Sequence, residues 1–389
     1  MFAHTTYDAL VVGARCAGAA TAMLMARKGM RVLLIDRGSY GTDTVSTHAL
    51  MRGGVLQLHR WGLLSRLQEA GTPPVRETTF HYGDQSVTVA IKPSNGVDAL
   101  YAPRRTLLDA TLVDAAREAG VTVRHGHTVM GLTQRSDGRV CGATAIDVDG
   151  NAITIKADLV IGADGVCSSV ARMAGAETLA AARHTTAVIY GYHSGIGLDN
   201  YHWWYQPGIG AGAIPTNRGR HCVFVSLSPE RLRHGLSRQG RATLFSEVLH
   251  QADPELAAMI AAAHLDASLC VFSGRKGFMR QACGPGWALV GDAGYFKDPL
   301  TAHGITDALR DAELLANAAS AERLPEYATI RDELSLRLFE VTDAIAALDW
   351  DLERIKGLHQ ELNQAMKLEV EYLLSLKHPH TAKIEEKVA

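Results

Sequence analysis

Three stretches rich in glycine and aspartate have the residue types and spacing to do chemistry. In the first, Gly13-Ala14-Arg15-Cys16-Ala17-Gly18 ends one apolar run, and Asp36, followed by Arg37, closes the next apolar run about twenty residues on. Glycine here permits a turn without a Cβ and lets a helix pack closely on a strand. Free N–H groups at the helix start can receive a pyrophosphate, and the carboxylate can accept hydrogen bonds from ribose hydroxyls. Arg15 stands where the middle glycine of G-x-G-x-x-G would be.

The second stretch, Asp158 to Arg172, is an apolar strand running into Gly162-Ala163-Asp164-Gly165 and then a serine-capped helix. The third, Gly286 to Asp292, is a strand ending in Gly291-Asp292. It continues through Lys297-Asp298-Pro299 to His303-Gly304-Ile305 and a further helix. A helix starting there would aim unpaired N–H groups and the positive end of its dipole at a ring edge where negative charge accumulates on reduction. Gly304 would let the backbone come that close.

Two histidines, His48 in Ser46-Thr47-His48 and His303, could act as acid or base, since imidazole titrates near neutral pH. Asp298 is a polar candidate for the same site. Aromatic area is concentrated at Tyr201, Trp203, Trp204 and Tyr205. Strand alternation puts Tyr201, Trp203 and Tyr205 on one face, where they would stack on a flat substrate, and Trp204 on the other.

These motifs, in this order over most of the chain, resemble the group A, p-hydroxybenzoate-hydroxylase-like FAD-dependent monooxygenases. Their superfamily includes geranylgeranyl reductases and flavin-dependent halogenases. The resemblance implies that Gly13, Arg15, Cys16, Ala17 and Gly18 hold the FAD pyrophosphate, with Asp36 and Arg37 beside the adenosine ribose. It implies that Arg105, which opens an Arg-x-x-Leu-Asp helix, contacts the cofactor and that Asp164 and Gly165 serve FAD and nicotinamide binding. Gly291 and Asp292 would meet the ribityl chain, and Pro299, His303, Gly304 and Ile305 would lie beside the isoalloxazine.

The implied activity is hydroxylation or epoxidation of a small aromatic or natural-product-like substrate through a C4a-hydroperoxyflavin. NAD(P)H would be the transient reductant and molecular oxygen the co-substrate. Reduction of C=C bonds, halogenation and flavin binding without turnover stay open beside it. The chain departs from the commoner Gly-Asp-Ala-Ala-His at Gly294-Tyr295, and it lacks the W-x-W-x-I-P signature of tryptophan halogenases.

The elements that must position these residues read as an α/β fold. A strand, tight turn, helix and strand from Tyr7 to Ile35 make a βαβ unit and hence a parallel sheet. Alternation around Gly83-Asp84 predicts a hairpin, helical spacing covers Arg105 to Ala119, and a strand follows at Val121 to Val123. Three short runs from Thr128 to Lys156 predict an antiparallel meander. From Thr185 to about Phe272 the pattern is mostly strand-like, interrupted by helical segments at Leu244–Leu249 and Pro254–Ala263. Apolar residues from Leu348 to Leu373 recur every three or four positions, predicting one long amphipathic helix or two that pack on the molecule or form a homodimer face.

The expected organisation is a discontinuous FAD-binding, Rossmann-like domain at 1–74, 93–184 and 273–330. A mainly antiparallel substrate-binding sheet is inserted at 75–92 and 185–272, and a C-terminal helical segment occupies 331–389.

Composition narrows the partners. The 389 residues carry 39 basic and 41 acidic side chains, a net charge of −2, without the positive footprint that nucleic acid binding needs. No apolar run reaches the roughly 18–20 residues of a spanning helix, and no leader pattern opens the chain, so a cytoplasmic protein with no membrane partner is expected. The six cysteines include no CxxC pair, so reduced thiols and no metal are expected, with a small molecule as the partner.

Overall fold

A computed structural model describes residues 6–376. Residues 1–5 of the expected first segment and 377–389 of the expected C-terminal segment lie outside it. The apolar runs Tyr7–Val12 and Val32–Asp36 are neighbouring parallel strands in an eight-stranded sheet. Their near-continuous apolar character fits strands covered on both faces. Strand order across this sheet is Cys283–Gly284, Trp287–Leu289, Ala152–Gly162, Tyr7–Val12, Val32–Asp36 and Thr122–His125.

The meander differs from the three short runs expected. Its third strand is one eleven-residue strand, Ala152–Gly162, whose first half pairs antiparallel with Val140–Ile146 and whose second half pairs parallel with Tyr7–Val12. The meander is thus welded to the parallel sheet and covers one face of it through Val129, Val140, Ala143 and Ile155. Helices Cys16–Arg27, Arg105–Glu118 and Gly304–Ser320 belong to the core on the other face.

The second eight-stranded sheet is antiparallel but for one pair. Glu77–Tyr82, half of the expected hairpin, lies parallel to Tyr201–Gln206, with Thr78 opposite Tyr201 and Tyr82 opposite Tyr205. The expected Leu244–Leu249 segment is part of a longer helix, Pro229–Ala252, opened by a Ser228 cap and broken at Gly240, where φ is 78°. A small sheet of Thr178–Ala181, Phe278–Arg280 and Tyr295–Phe296 completes the strands described.

The tail forms two helices, Leu324–Ala346 and Leu352–Ser375. The boundary expected at 330/331 falls inside the first of them. Pro325, in its opening turn, marks where that helix starts, as proline does where its missing N–H costs nothing.

Candidate functional site

The three motifs leave the parallel sheet at one level. Val12 pairs with Ile35 on one side and Gly162 on the other, and Gly162 pairs with Leu289. The loops after these strands therefore share the carboxyl edge of the sheet, where open α/β sheets bind ligands.

Glycine makes the convergence possible. An ideal Cβ on Gly13 would lie 2.3 Å from the Ala163 carbonyl oxygen, which joins the first motif to the second. One on Gly291 would lie 2.9 Å from Ala17 Cβ, which joins the third to the first.

The helix Cys16–Arg27 starts without a side-chain cap or an acidic residue in its first turn. Its opening N–H groups at Cys16, Ala17 and Gly18 are therefore free for an anion. Asp36 accepts hydrogen bonds from Ala14 N and Gly38 N, both at 2.6 Å, while Arg37 is exposed.

Arg15, Cys16 and Arg105 converge on a residue that the sequence reading missed. Asp109 accepts from Arg15 at 3.2 Å, from Cys16 Sγ at 2.9 Å and from Arg105 at 3.0 Å. Burial pushes the Cys16 thiol well up, so it stays protonated and is a donor here.

Asp292 stands opposite Arg105 with no hydrogen-bond donor among the described residues. Burial pushes its carboxyl up to about 6 against the opposing pull of Arg105 and Lys297. A carboxylate left in this state is an acceptor waiting for hydroxyl groups.

Asp164 is different. Its carboxylate accepts from Ser169 N at 2.6 Å, Ser169 Oγ at 2.7 Å and Val170 N, and it binds Ser168 Oγ, so it braces the start of helix Ser169–Met173. Gly165 next to it has φ of 78°, the left-handed turn that glycine takes without strain.

Asp298 is likewise spent on structure. It accepts from Thr186 N at 2.6 Å, Thr186 Oγ1 at 2.7 Å, Leu300 N at 3.0 Å and Thr185 Oγ1. It thereby ties the Pro299–Thr301 turn to the second sheet, and no lone pair is left for the acid–base role considered for it.

His303 caps the helix Gly304–Ser320 without a side-chain cap bond, so the N–H groups of Gly304 and Ile305 are free. A Cβ on Gly304 would meet nothing within 4 Å, so space opens beside this turn.

His303 belongs to a buried network that sequence reasoning did not find. Its Nε2 lies 2.7 Å from Glu369 Oε2, and Arg310 donates to Glu369 at 2.8 Å, Asp311 at 2.8 Å and Asp307 at 3.2 Å. Lys297 pairs with Asp307; burial and Arg310 pull its ammonium down to about 7 against the opposing pull of Glu369, Asp292 and Asp311. Ligand atoms of His303, Asp307 and Glu369 lie within 4.8 Å of one another, but Lys297 and Arg310 already supply the positive charge there.

The missed signal was on the tail helix. Glu369 falls three residues after Met366 and four before Leu373, a charge on the apolar stripe.

Beside His303 a cavity of about 580 Å³ opens between the second sheet and the tail helix. Tyr201, Trp203 and Tyr205 line it, while Trp204 packs in the other core, as alternation requires. Tyr205 lies 4.5 Å from the His359 ring and stacks on Tyr82 at 5.7 Å. Half-exposed Val87 and Val89 of the edge strand stand at its mouth with Lys356.

His48 does not line this cavity. It is buried in the left-handed region, φ 67°, with Nε2 against the Tyr192 hydroxyl and the Arg104 guanidinium 3.6 Å from the Tyr192 ring. Burial, then Arg104 and Arg105, lower its pKa to about 3, so it is neutral at physiological pH.

A model of the FAD binding domain family matches residues 6–323. The chain belongs to this family. It is an FAD-dependent oxidoreductase within the superfamily that the motifs resemble.

Digeranylgeranylglycerophospholipid reductase 1 of Methanococcoides burtonii is 27% identical to this flavoprotein over 330 residues, covering 82% of this chain and 76% of that protein. Menaquinone reductase of Mycolicibacterium smegmatis is 27% identical over 375 residues, covering 89% and 85%. Among solved structures, P. aeruginosa PqsL in complex with 2-aminobenzoylacetate has a TM-score of 0.79 and 18% identity over 92% of this chain and 100% of that one.

The residues of this flavoprotein fit FAD. The uncapped helix start suits a phosphate, the donorless Asp292 carboxylate suits hydroxyl groups, and the Gly304 turn leaves open space. Among the described residues, no helix is long and apolar enough to cross a membrane.

Proposed function

We propose that this flavoprotein is a monooxygenase that delivers one oxygen atom from molecular oxygen to a small, mostly apolar aromatic substrate. NAD(P)H is the transient reductant. The observation that carries this reading is the aromatic-walled cavity ending at Thr301 and His303, beside the open space at Gly304.

When bound, FAD supplies two-electron chemistry, taking a hydride from NAD(P)H and passing electrons to oxygen. The Gly13–Gly18 turn and the free N–H groups of its helix would hold the pyrophosphate, Asp36 the adenosine ribose and Asp292 the ribityl chain. The Gly304 and Ile305 N–H groups would stabilise negative charge on the ring edge. Tyr201, Trp203 and Tyr205 orient a flat substrate by stacking, and the apolar wall keeps water from the reacting atoms. His48, neutral and away from the cavity, has a structural part in this reading.

The experiment is oxygen consumption by the FAD-loaded protein with NAD(P)H across a panel of aromatic compounds. A compound that accelerates both NAD(P)H oxidation and oxygen uptake supports the proposal; tight FAD with no compound-stimulated turnover contradicts it.

Reduction of C=C bonds is the second reading. It is favoured by the two relatives, both named reductases, that match 82% and 89% of the chain. Equal product yield with and without oxygen would select it.

A further inference from the structure

The tail helix Leu352–Ser375 lies beyond the stretch matched by the family model, and it brings a polar ring, His359, into the aromatic wall of the cavity. The His359 ring centroid is 4.5 Å from that of Tyr205, 5.7 Å from Tyr82 and 5.7 Å from Phe80. Tyr82 and Tyr205 stand opposite each other on neighbouring strands, so the sheet holds the imidazole in place.

His359 Nδ1 is 2.7 Å from the Tyr82 hydroxyl. Burial raises the Tyr82 phenol, which keeps its proton, and lowers the His359 imidazole to about 4, which leaves it neutral at physiological pH. A phenol is the stronger acid of the two and an imidazole nitrogen the stronger base, so the hydroxyl donates to Nδ1. The opposite arrangement would leave the phenol hydrogen with no acceptor among the described residues. Nε2 therefore carries the imidazole hydrogen. This N–H has no partner among the described residues, and it keeps accessible surface where Nδ1 of His303 is sealed.

An unmatched donor in an apolar wall costs free energy until an acceptor meets it. Lys356, one turn back, is spent on Gln85 and Glu353, each at 2.7 Å, so its charge is already answered and a neutral acceptor suffices. His359 and Glu369, the partner of His303, are ten residues apart on the same helix, which is about 15 Å along its axis.

We propose that His359 is a specificity-determining residue, and that the substrate is a polycyclic aromatic ketone whose carbonyl oxygen accepts from His359 Nε2. This rests on the reading of the cavity as the substrate site. His359 holds the carbonyl toward the mouth, the rings lie along Tyr205 and Trp203, and the far edge reaches the Gly304 turn. Tyr82 is a positioning residue that keeps the hydrogen on Nε2.

The test uses 2-acetylnaphthalene and 2-isopropenylnaphthalene, a hydrocarbon of the same shape with a methylene in place of the carbonyl oxygen. Binding of each to the FAD-loaded protein is measured by equilibrium dialysis, and the stretch of a ¹³C-labelled carbonyl by infrared difference spectroscopy. In the wild type that stretch should lie below its position in hexane. His359→Phe, made together with Tyr82→Phe so that no hydroxyl is orphaned, should return it to the hexane position. The double variant should bind the ketone about tenfold more weakly and the hydrocarbon within about twofold of wild type. Tyr82→Phe alone should cost the ketone about twofold at most, since a bound carbonyl can itself select the Nε2–H form.

FAD content reports folding, and if the double variant fails to fold, the wild-type stretch and Tyr82→Phe carry the test. A wild-type stretch at the hexane position, or a lowered stretch that persists in the double variant, overturns the proposal. A wild type that binds neither probe overturns the cavity reading and the proposal with it. A lowered stretch, lost in the double variant, in a protein that forms product without oxygen supports the role of His359 and overturns the monooxygenase reading.

Discussion

Gly18 packs on Gly13 so closely that a Cβ at Gly18 would lie 1.7 Å from the Gly13 carbonyl oxygen. The contact is backbone to backbone, so no side chain can move aside. Gly18→Ala should destabilise the protein by about 3 kcal/mol and abolish FAD retention. Thermal unfolding and the flavin absorbance of the purified variant check this.

Asp292→Asn should separate stability from cofactor binding. The unfolded carboxyl ionises near 3.8 and the native one at about 6, so between these values the folded protein keeps a proton that the unfolded chain has released. Stability of the FAD-free protein therefore falls as pH rises from about 4 to about 6. The amide removes that penalty, so the variant should be more stable than wild type above pH 6 by about 3 kcal/mol. Its FAD affinity should drop about tenfold, the loss of one charged hydrogen-bond acceptor. Denaturation of the FAD-free protein and a fluorescence titration with FAD measure the two effects.

His48→Asn should change the response to acid. An unfolded histidine takes a proton near pH 6.5 and the native one only near pH 3, so stability falls as pH drops through that window. Asparagine tolerates the φ of 67° at this position. At pH 8 the variant should lose about 1 kcal/mol with the hydrogen bond to Tyr192. At about pH 4.5 it should equal or exceed the wild type, as urea unfolding at the two pH values would reveal.

Val87→Trp should narrow the cavity mouth without disturbing the core, because Val87 is 49% exposed on an edge strand. FAD content and flavin reduction in the absence of substrate should stay at the wild-type level. The KM for an accelerating substrate should rise about tenfold, a loss of about 1.4 kcal/mol in binding. Unchanged KM would place substrate entry elsewhere.

The parts of the site built from local sequence were legible, and those built by distant pairing were not. Gly13 and Gly291 could be read because each follows a strand end, and Gly18 because it lies in the opening turn of the helix, five residues after Gly13. The alternation of Tyr201, Trp203, Trp204 and Tyr205 gave the cavity face, since side chains on a strand have a period of two. Asp298 and Asp164 look like site groups in sequence because nothing there shows that Thr186 and Ser169 consume their lone pairs. Asp109 and Glu369 escaped for the opposite reason, each being bonded to a residue at least 66 positions away. Glu369 did leave a trace, a carboxylate on an otherwise apolar helix face, which signals a buried cation or histidine opposite.

The central claim, oxygen transfer in the cavity beside His303, is tested most directly by turnover under isotopically labelled oxygen. The FAD-loaded protein, NAD(P)H and an accelerating aromatic substrate are incubated under ¹⁸O₂, and the product mass is measured. One labelled oxygen atom per product molecule is the predicted result. A product that forms in full yield with no label, its mass raised only by two hydrogens, would contradict the account.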